Sequence, residues 1–395
     1  MNTVRRVLFV NPGRDLGGAE QSLLLLLRGL RQAGVEPTVA VFGDGAFRAA
    51  LERVDIPTAA LGLPDRLRQT SRYALPERFA DVGALALRGV PAALRLAALA
   101  RRLRADLLHS NGLKAHLIAG VAGGVARRPV VWHLRDFPPD GPTGRLFRTA
   151  ARHLPSLVLT NSEAVATELR PRLNGSPPLI AVPNPVDLER FRPAPAAGPV
   201  RAELGIAAGC PLVGMVAHLT PWKGHEDFLR IARRVLDAVP DAHFVIAGGP
   251  IYETAGHAGY EASLRRQVSD LGLGPRVSFL GARNDVPDVL AALDVLVHCP
   301  TAPEPFGRVL AEAMAVARPV VAADGGGISE IVRDGDTGYL VRSRDTHEFT
   351  DRVVRLLRDP ALRERLGAAG RNRAEVLFGV ETHTRRVLEA YASLA

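Results

Sequence analysis

Residues Thr301 to Glu330 read TAPEPFGRVLAEAMAVARPVVAADGGGISE. An apolar strand pattern, Asp294 to His298, precedes this stretch. Within it, Pro305-Phe306-Gly307 reads as a loop turning into a helix, and Pro319 to Ala323 as a second apolar strand. Gly325, Gly326 and Gly327 close it. Strand, loop, helix, strand and glycine loop is the grammar of a parallel sheet covered by helices. In such sheets the loops at the carboxyl ends of the strands face the ligand.

The stretch carries two carboxylates, Glu304 and Glu312. Pro303 and Pro305 stiffen the backbone around Glu304 and hold it in the loop ahead of the helix. A helix beginning near Gly307 directs the amides of Phe306, Gly307 and Arg308 outward, as an anion site suited to phosphate. Glu312, on the second turn, is placed to accept hydrogen bonds from a diol such as ribose. Glu304 can do the same for a sugar further out. A bare Glu-x7-Glu also fits an ordinary helix with solvated carboxylates on one face. The surrounding residues decide between the two.

EPFGRVLAEAMA (304–315), followed by PVVAADGGGISEIVRDGDTGYLV (319–341), resembles the signature of retaining GT-B glycosyltransferases, specifically the large family 4. The resemblance covers nearly the whole chain and is strongest after Val213. It implies an α/β fold of two Rossmann-like domains facing a central cleft. Residues 1–190 would form the acceptor-side domain and 191–375 the nucleotide-sugar donor domain, with a C-terminal helix over 376–395 returning to the first. The implied activity is transfer of a sugar from a nucleotide-sugar donor to a hydroxyl acceptor with retained anomeric configuration. Rival readings are a nucleotide-sugar epimerase or phosphorylase of the same fold, and a non-catalytic nucleotide-sugar-binding protein.

Outward from this stretch, the composition is that of a chain with sizeable cores. It has 395 residues, 47% of them hydrophobic, which suits two domains. The net charge of +9 makes acidic partners plausible, among them nucleotide phosphates and anionic lipid. Charge alone also suggests nucleic acid, but no aromatic-basic platform accompanies it, and no nucleic-acid partner is expected. Cys210 and Cys299 have neither metal-ligand nor disulfide-framework spacing. The DGD at 334–336 is explained by a turn, so no metal or other cofactor is expected. The opening MNTVRRVLFVNPG reads as a first strand rather than a leader, and no apolar run approaches a membrane span. A cytoplasmic protein is expected, with peripheral contact at the inner membrane face as an added reading.

In the first half, Gly17-Gly18 follows the strand Arg6 to Val10 and opens a helix near Ala19. Glycine there lets a ligand approach the backbone. A tight strand-to-helix turn is the plainer explanation, and the resemblance assigns the pair to donor phosphates or acceptor. Residues 63–89 read as irregular. Pro91 to Arg104 reads as a helix with a Leu96, Leu99, Leu103 stripe and a basic rim; no acid occurs from Val82 to Ala105. It is either a packed helix with a solvated rim or a surface for anionic headgroups. His109 and His133 end strands. The resemblance places His133 near the sugar, where general acid/base work or a hydrogen bond suits it. Ser162 is positioned to cap a helix.

The run Pro183 to Pro199 reads as the link between domains. After the strand Leu212 to Ala217, the loop carries His218, Lys223 and Gly224. Lys223 reads as a phosphate contact that stabilises a departing nucleoside diphosphate. The family usually has Arg five residues before this Lys, and here His218 stands there. If His218 supplies that cation by protonation, activity should weaken on the alkaline side, and His218→Arg should flatten that limb. The loop Ala282-Arg283 resembles the family's base-reading segment, acting through backbone groups. Ala317 stands where the family usually has Gly, which bears on the helix ending.

Overall fold

The computed structural model describes residues 4–13, 16–62, 79–194, 198–207, 209–249 and 259–394. The chain divides into two compact units, one comprising Met1–Pro185 with Val380–Ala395, the other Val186–Gly379. The expected limits at 190 and 375 lie close to these.

The first unit is built on strands β1 (Arg6–Asn11), β2 (Glu36–Val41), β3 (Thr58–Ala60), β4 (Leu107–Asn111), β5 (Val130–Leu134), β6 (Leu157–Thr160) and β7 (Leu179–Ala181). Its helices are α1 (Gly18–Gln32), α2 (Ala46–Arg53), α3 (Phe79–Arg102), α4 (Leu113–Ala126), α5 (Gly141–His153) and α6 (Glu163–Leu173). All strands pair in parallel, in the order β3-β2-β1-β4-β5-β6-β7. β4, β5 and β6 are buried at every position. That is why they read as continuous apolar runs and not as alternation. Ser162 caps α6, its hydroxyl accepting from the Val165 amide at 3.1 Å.

The second unit begins with α7 (Pro199–Glu203). Its strands are β8 (Leu212–Val216), β9 (His243–Ala247), β10 (Val277–Gly281), β11 (Val295–His298), β12 (Val320–Asp324) and β13 (Gly338–Arg342). Between and after them come α8 (His225–Ala238), α9 (Tyr260–Asp270), α10 (Val286–Ala292), α11 (Arg308–Ala315), α12 (Ile328–Ile331), α13 (Thr346–Arg358) and α14 (Pro360–Phe378). The sheet order is β10-β9-β8-β11-β12-β13, again all parallel. Both sheets thus run 3-2-1-4-5-6 from their own first strand, the doubly wound order, the first sheet adding a seventh strand at its edge. Each has its switch point where its first strand meets its fourth.

The last helix, α15 (Val380–Ala392), belongs to the first unit. Val387, Ala390 and Tyr391 join Leu23, Leu26 and Leu27 of α1 in one buried cluster. The two crossings of the chain between units lie side by side, the Val186 amide donating to the Phe378 carbonyl at 2.7 Å.

One expectation is corrected. Residues 79–89, read as irregular, form the first half of α3, which continues through Pro91. Proline there removes one backbone bond without ending the helix, because Ala92, Ala93, Leu96 and Ala97 pack into the core on one side. Residues 63–78, read likewise, lie outside the described residues. The Leu96, Leu99, Leu103 stripe does pack inward, Leu96 fully buried. The basic rim is solvated, Arg95, Arg101, Arg102 and Arg104 all being exposed; two of them also hold backbone, Arg95 donating to the Leu61 and Gly62 carbonyls at 3.2 and 3.0 Å and Arg101 to that of Val125.

Candidate functional site

In the second unit, the carboxyl ends of β8 and β11 flank the switch point and bring together Lys223, His298 and Glu304. Glu304 sits in the loop between β11 and α11, buried at 9% exposure. Its Oε1 accepts from Lys223 Nζ at 2.7 Å and its Oε2 pairs with His298 Nε2 at 2.6 Å. Burial alone would raise its pKa. The Lys223 charge, His298 and the two hydrogen bonds outweigh that and hold the carboxylate well below its ordinary range.

The loops are shaped to make this contact. Gly224 has φ +83°, and a Cβ there would lie 1.8 Å from the Cys299 carbonyl oxygen, so only glycine lets the Lys223 loop rest on the end of β11. Gly326 has φ +63°, and a Cβ would lie 2.1 Å from the Glu304 carbonyl oxygen. The Gly327 amide donates to that oxygen at 2.8 Å. The glycine loop therefore braces the backbone of the carboxylate loop. Lys223 also lies over the Trp222 ring, 4.1 Å from its centroid.

The helix α11 starts at Arg308, with Gly307 as its N-cap. Among the described residues, the Phe306 and Gly307 amides have no backbone acceptor. The Phe306 ring is core, packed edge-on against Phe378 at 5.8 Å. Glu312 is buried on the second turn, where Arg308 pairs with it at 2.6 Å. The ribose reading therefore requires a diol to share that carboxylate with Arg308.

Arg283 is spent on two carboxylates: it meets Asp285 at 2.7 and 2.6 Å, and Glu203 at 2.8 and 2.9 Å. Only its backbone is left for a nucleobase. His218 is exposed, yet the crowding of its ring and then the Lys223 and Arg308 charges push its pKa below the ordinary value, Glu304 opposing them. In the unliganded protein this disfavours the standing cation read for His218.

In the first unit, the corresponding loop holds Gly17 and Gly18 at the start of α1. The Gly17 amide donates to Glu20 Oε2 at 3.2 Å. A Cβ added at Gly18 would meet nothing within 4 Å. Packing does not require glycine at that position, which leaves ligand approach as a reason for it.

His133 lies on β5, wholly buried. Its Nδ1 is 3.2 Å from His109 Nε2 and 3.4 Å from the Arg135 guanidinium. His109 Nδ1 meets the Tyr391 hydroxyl of α15 at 2.6 Å. Arg135 also donates to Asn111 at 3.0 Å and to Asn184. Burial first, then the Arg135 charge, pushes both histidines well below their ordinary pKa, so both are neutral. His133 Nε2 is buried with no partner. Leaving such a group unpaired costs about 1–3 kcal/mol.

Sequence reasoning missed His298, Arg135 and Tyr391. His298 had a signal, since it ends β11 on the ligand-facing side; His109 and His133, read as strand ends, lie within β4 and β5. Tyr391 had none, because only the fold brings it 282 positions back along the chain to His109.

Two doubly wound parallel sheets, with the last helix returning to the first unit, define the GT-B class of glycosyltransferase folds. The chain belongs to the glycosyltransferases of family 4, group 1: the family described as Glycosyltransferase Family 4 matches residues 16–190, and that described as Glycosyl transferases group 1 matches residues 199–373. HepE of Anabaena, solved with UDP, is 29% identical over 98% of this chain and 100% of that one, with a TM-score of 0.84. The same protein solved with UDP-glucose superposes with a TM-score of 0.83 at 29% identity, over 98% of this chain and 99% of that one. A D-inositol 3-phosphate glycosyltransferase of Nocardia farcinica is 34% identical over 67% of this chain and 56% of that protein. The lipopolysaccharide core biosynthesis mannosyltransferase LpsB of Rhizobium meliloti is 30% identical over 60% of this chain and 67% of that protein. The matched region thus spans little more than half the length of the Nocardia relative.

Proposed function

We propose that the chain is a retaining hexosyltransferase that moves a sugar from a nucleotide-sugar donor to a hydroxyl acceptor. The observation that carries this reading is the buried cluster of Lys223, Glu304 and His298, set at a switch point beside the unpaired amides of Phe306 and Gly307. In that cluster Lys223 and the two amides would take the diphosphate, stabilising the charge that develops as it leaves. Glu304, kept ionised by its neighbours, would accept from sugar hydroxyls and favour positive charge at the reacting carbon. Glu312 and Arg308 would hold the ribose end, and the Ala282-Arg283 backbone would meet the base. Countercharge from Lys223 and Arg308 supports a reading without metal or other cofactor. In the first unit, the Gly17-Gly18 loop and His133 would contact substrate oxygens. The complexes of HepE with UDP and UDP-glucose make UDP-sugars the first donors to test.

The test is a thermal-shift panel of nucleotide sugars, followed by turnover with the stabilising donor. A donor at a hundredfold its Kd adds about 2.7 kcal/mol to the unit that binds it. Glu304→Gln should lower transfer on the order of a hundredfold. The product anomer, read by NMR, should match the donor. Donor binding without turnover would instead support a nucleotide-sugar-binding protein, and inversion at the anomeric carbon would remove the retaining assignment.

Peripheral contact with anionic membrane is a second proposal, and α3 and α4 support it. Val90 and Leu94 on α3, with Val121 and Val125 on α4, are exposed at 41%, 52%, 41% and 38%. The two helices pack together, and Arg101 bridges them through the Val125 carbonyl. No carboxylate occurs from Val82 to Ala105 or from Leu107 to Arg135. Exposed apolar side chains on two packed helices, with arginines and no carboxylate in the stretches around them, suit anionic headgroups. Among the described residues, no helix is long and apolar enough to cross a membrane.

A further inference from the structure

The polar chain behind His133 has a fixed direction. Arginine donates hydrogen bonds and never accepts them. The Arg135 guanidinium, 3.4 Å from His133 Nδ1, therefore favours a bare nitrogen there, and the contact is long enough that it does so only together with the rest of the chain. His133 is neutral, so its proton must sit on Nε2. A bare Nδ1 in turn requires His109 Nε2, 3.2 Å away, to carry a proton and donate. The lone pair is then shared between two donors, in keeping with the length of both contacts. His109 is neutral as well, so its Nδ1 is bare and accepts from the Tyr391 hydroxyl at 2.6 Å. Burial keeps that phenol protonated. Every link points one way, from Tyr391 through His109 to His133.

We propose that Tyr391 and His109 are positioning residues that, with Arg135, lock His133 as an Nε2–H donor, so that His133 serves a substrate oxygen as a hydrogen-bond donor and not as a general base. The inference rests on the reading that His133 contacts substrate. It gives the otherwise unpartnered Nε2 a partner, a sugar hydroxyl or a phosphate oxygen to which it donates. It also gives α15 a part in the chemistry, since the helix supplies the first donor of the relay. The groups facing the pair are Arg135, His116 and His383, with His383 stacked against His133 at 6.1 Å between ring centres. Among the described residues no carboxylate is paired with either ring, so nothing there favours an imidazolium.

The test begins with the full chain, unliganded and labelled with 15N-histidine, at pH 7. Long-range proton–nitrogen correlation spectra should show His133 and His109 each with a protonated Nε2 and a bare Nδ1. Tyr391→Phe should mix the two forms of His109 and reduce the protonated Nε2 of His133. A wild-type His133 protonated at Nδ1 or at both nitrogens overturns the relay, and so does a Tyr391→Phe spectrum identical to wild type. Both outcomes leave the transferase reading standing. Kinetics form the second arm. Tyr391→Phe should lower kcat/KM about tenfold, the worth of one well-placed hydrogen bond. His133→Gln, which keeps an N–H donor, should retain more activity than His133→Glu, which offers only acceptors; a general base would give the reverse order. If both tautomers are found but neither Tyr391→Phe nor His133→Ala changes turnover, His133 does not meet substrate and the positioning role falls with it.

Discussion

Lys223 and Glu304 have separate roles when read from the sequence, the lysine toward phosphate and the glutamate toward sugar. In the fold they hold each other, at 2.7 Å with side chains only 12% and 11% exposed. Removing one member of such a pair leaves the other charge stranded. Lys223→Met should therefore destabilise the second unit by about 3 kcal/mol, while the double change Lys223→Met with Glu304→Gln should recover most of that loss. Activity should not recover in the double variant, which separates the structural role of the pair from its chemical one. Denaturant midpoints and turnover on the same samples check both. Gly18→Ala gives the complementary case: with open space before it, stability should change by less than about 1 kcal/mol while donor or acceptor KM rises. The carboxylate loop was legible because proline and glycine flank it. The Glu203 and Asp285 partners of Arg283 were not, because one of them lies 80 positions away.

At the scale of elements, the end of α11 shows what one substitution in a motif does. Ala317 follows the helix at φ +58°, the left-handed conformation that glycine adopts without penalty. Ala317→Gly should stabilise the second unit by about 1 kcal/mol, roughly 2–4 °C in Tm, seen by calorimetry. The α3–α4 face makes a different kind of prediction. Vesicles rich in anionic lipid should bind the chain at low salt and release it as salt rises, and Leu94→Asp with Val121→Asp should weaken capture severalfold. Equal capture by neutral vesicles, or none by anionic ones, would remove the proposal. Strands and their order were readable from apolar runs bounded by turns. The start of α3 was not, because proline in a helix interior is tolerated only when packing holds the helix, here through Ala92, Ala93, Leu96 and Ala97, and packing has no local signature.

Across the molecule, ionisation divides the two units. His109, His116, His133 and His383 are all buried in the first, and burial is the largest cause pushing each below its ordinary pKa, to about 3 for His116 and His383. Unfolded, each takes a proton near pH 6.5; folded, it does not. Below that pH the unfolded state binds more protons, so stability falls as pH drops from about 6.5 toward 3, by up to about 1.4 kcal/mol per unit for each histidine. The second unit has three that burial pushes down in the same way, His218, His225 and His243, none of them as far as the four in the first. It adds Glu304, whose depressed pKa gives stability that is present above about pH 4.3 and lost below it. The first unit should therefore lose structure at higher pH than the second. Trp132 lies in one unit and Trp222 in the other, so fluorescence of Trp222→Phe, which leaves Trp132 alone, should change first on acidification.

The return of α15 to the first unit also sets an order of events on the ribosome. All seven strands of the first unit precede residue 186, but the buried cluster that α1 shares with the sheet stays incomplete until residues 380–392 have been synthesised. The second unit, encoded without interruption from 186 to 379, can close while its neighbour still waits for its final helix. Truncation after Pro185 would leave that cluster without Val387, Ala390 and Tyr391 and would also take away the hydroxyl on which His109 depends.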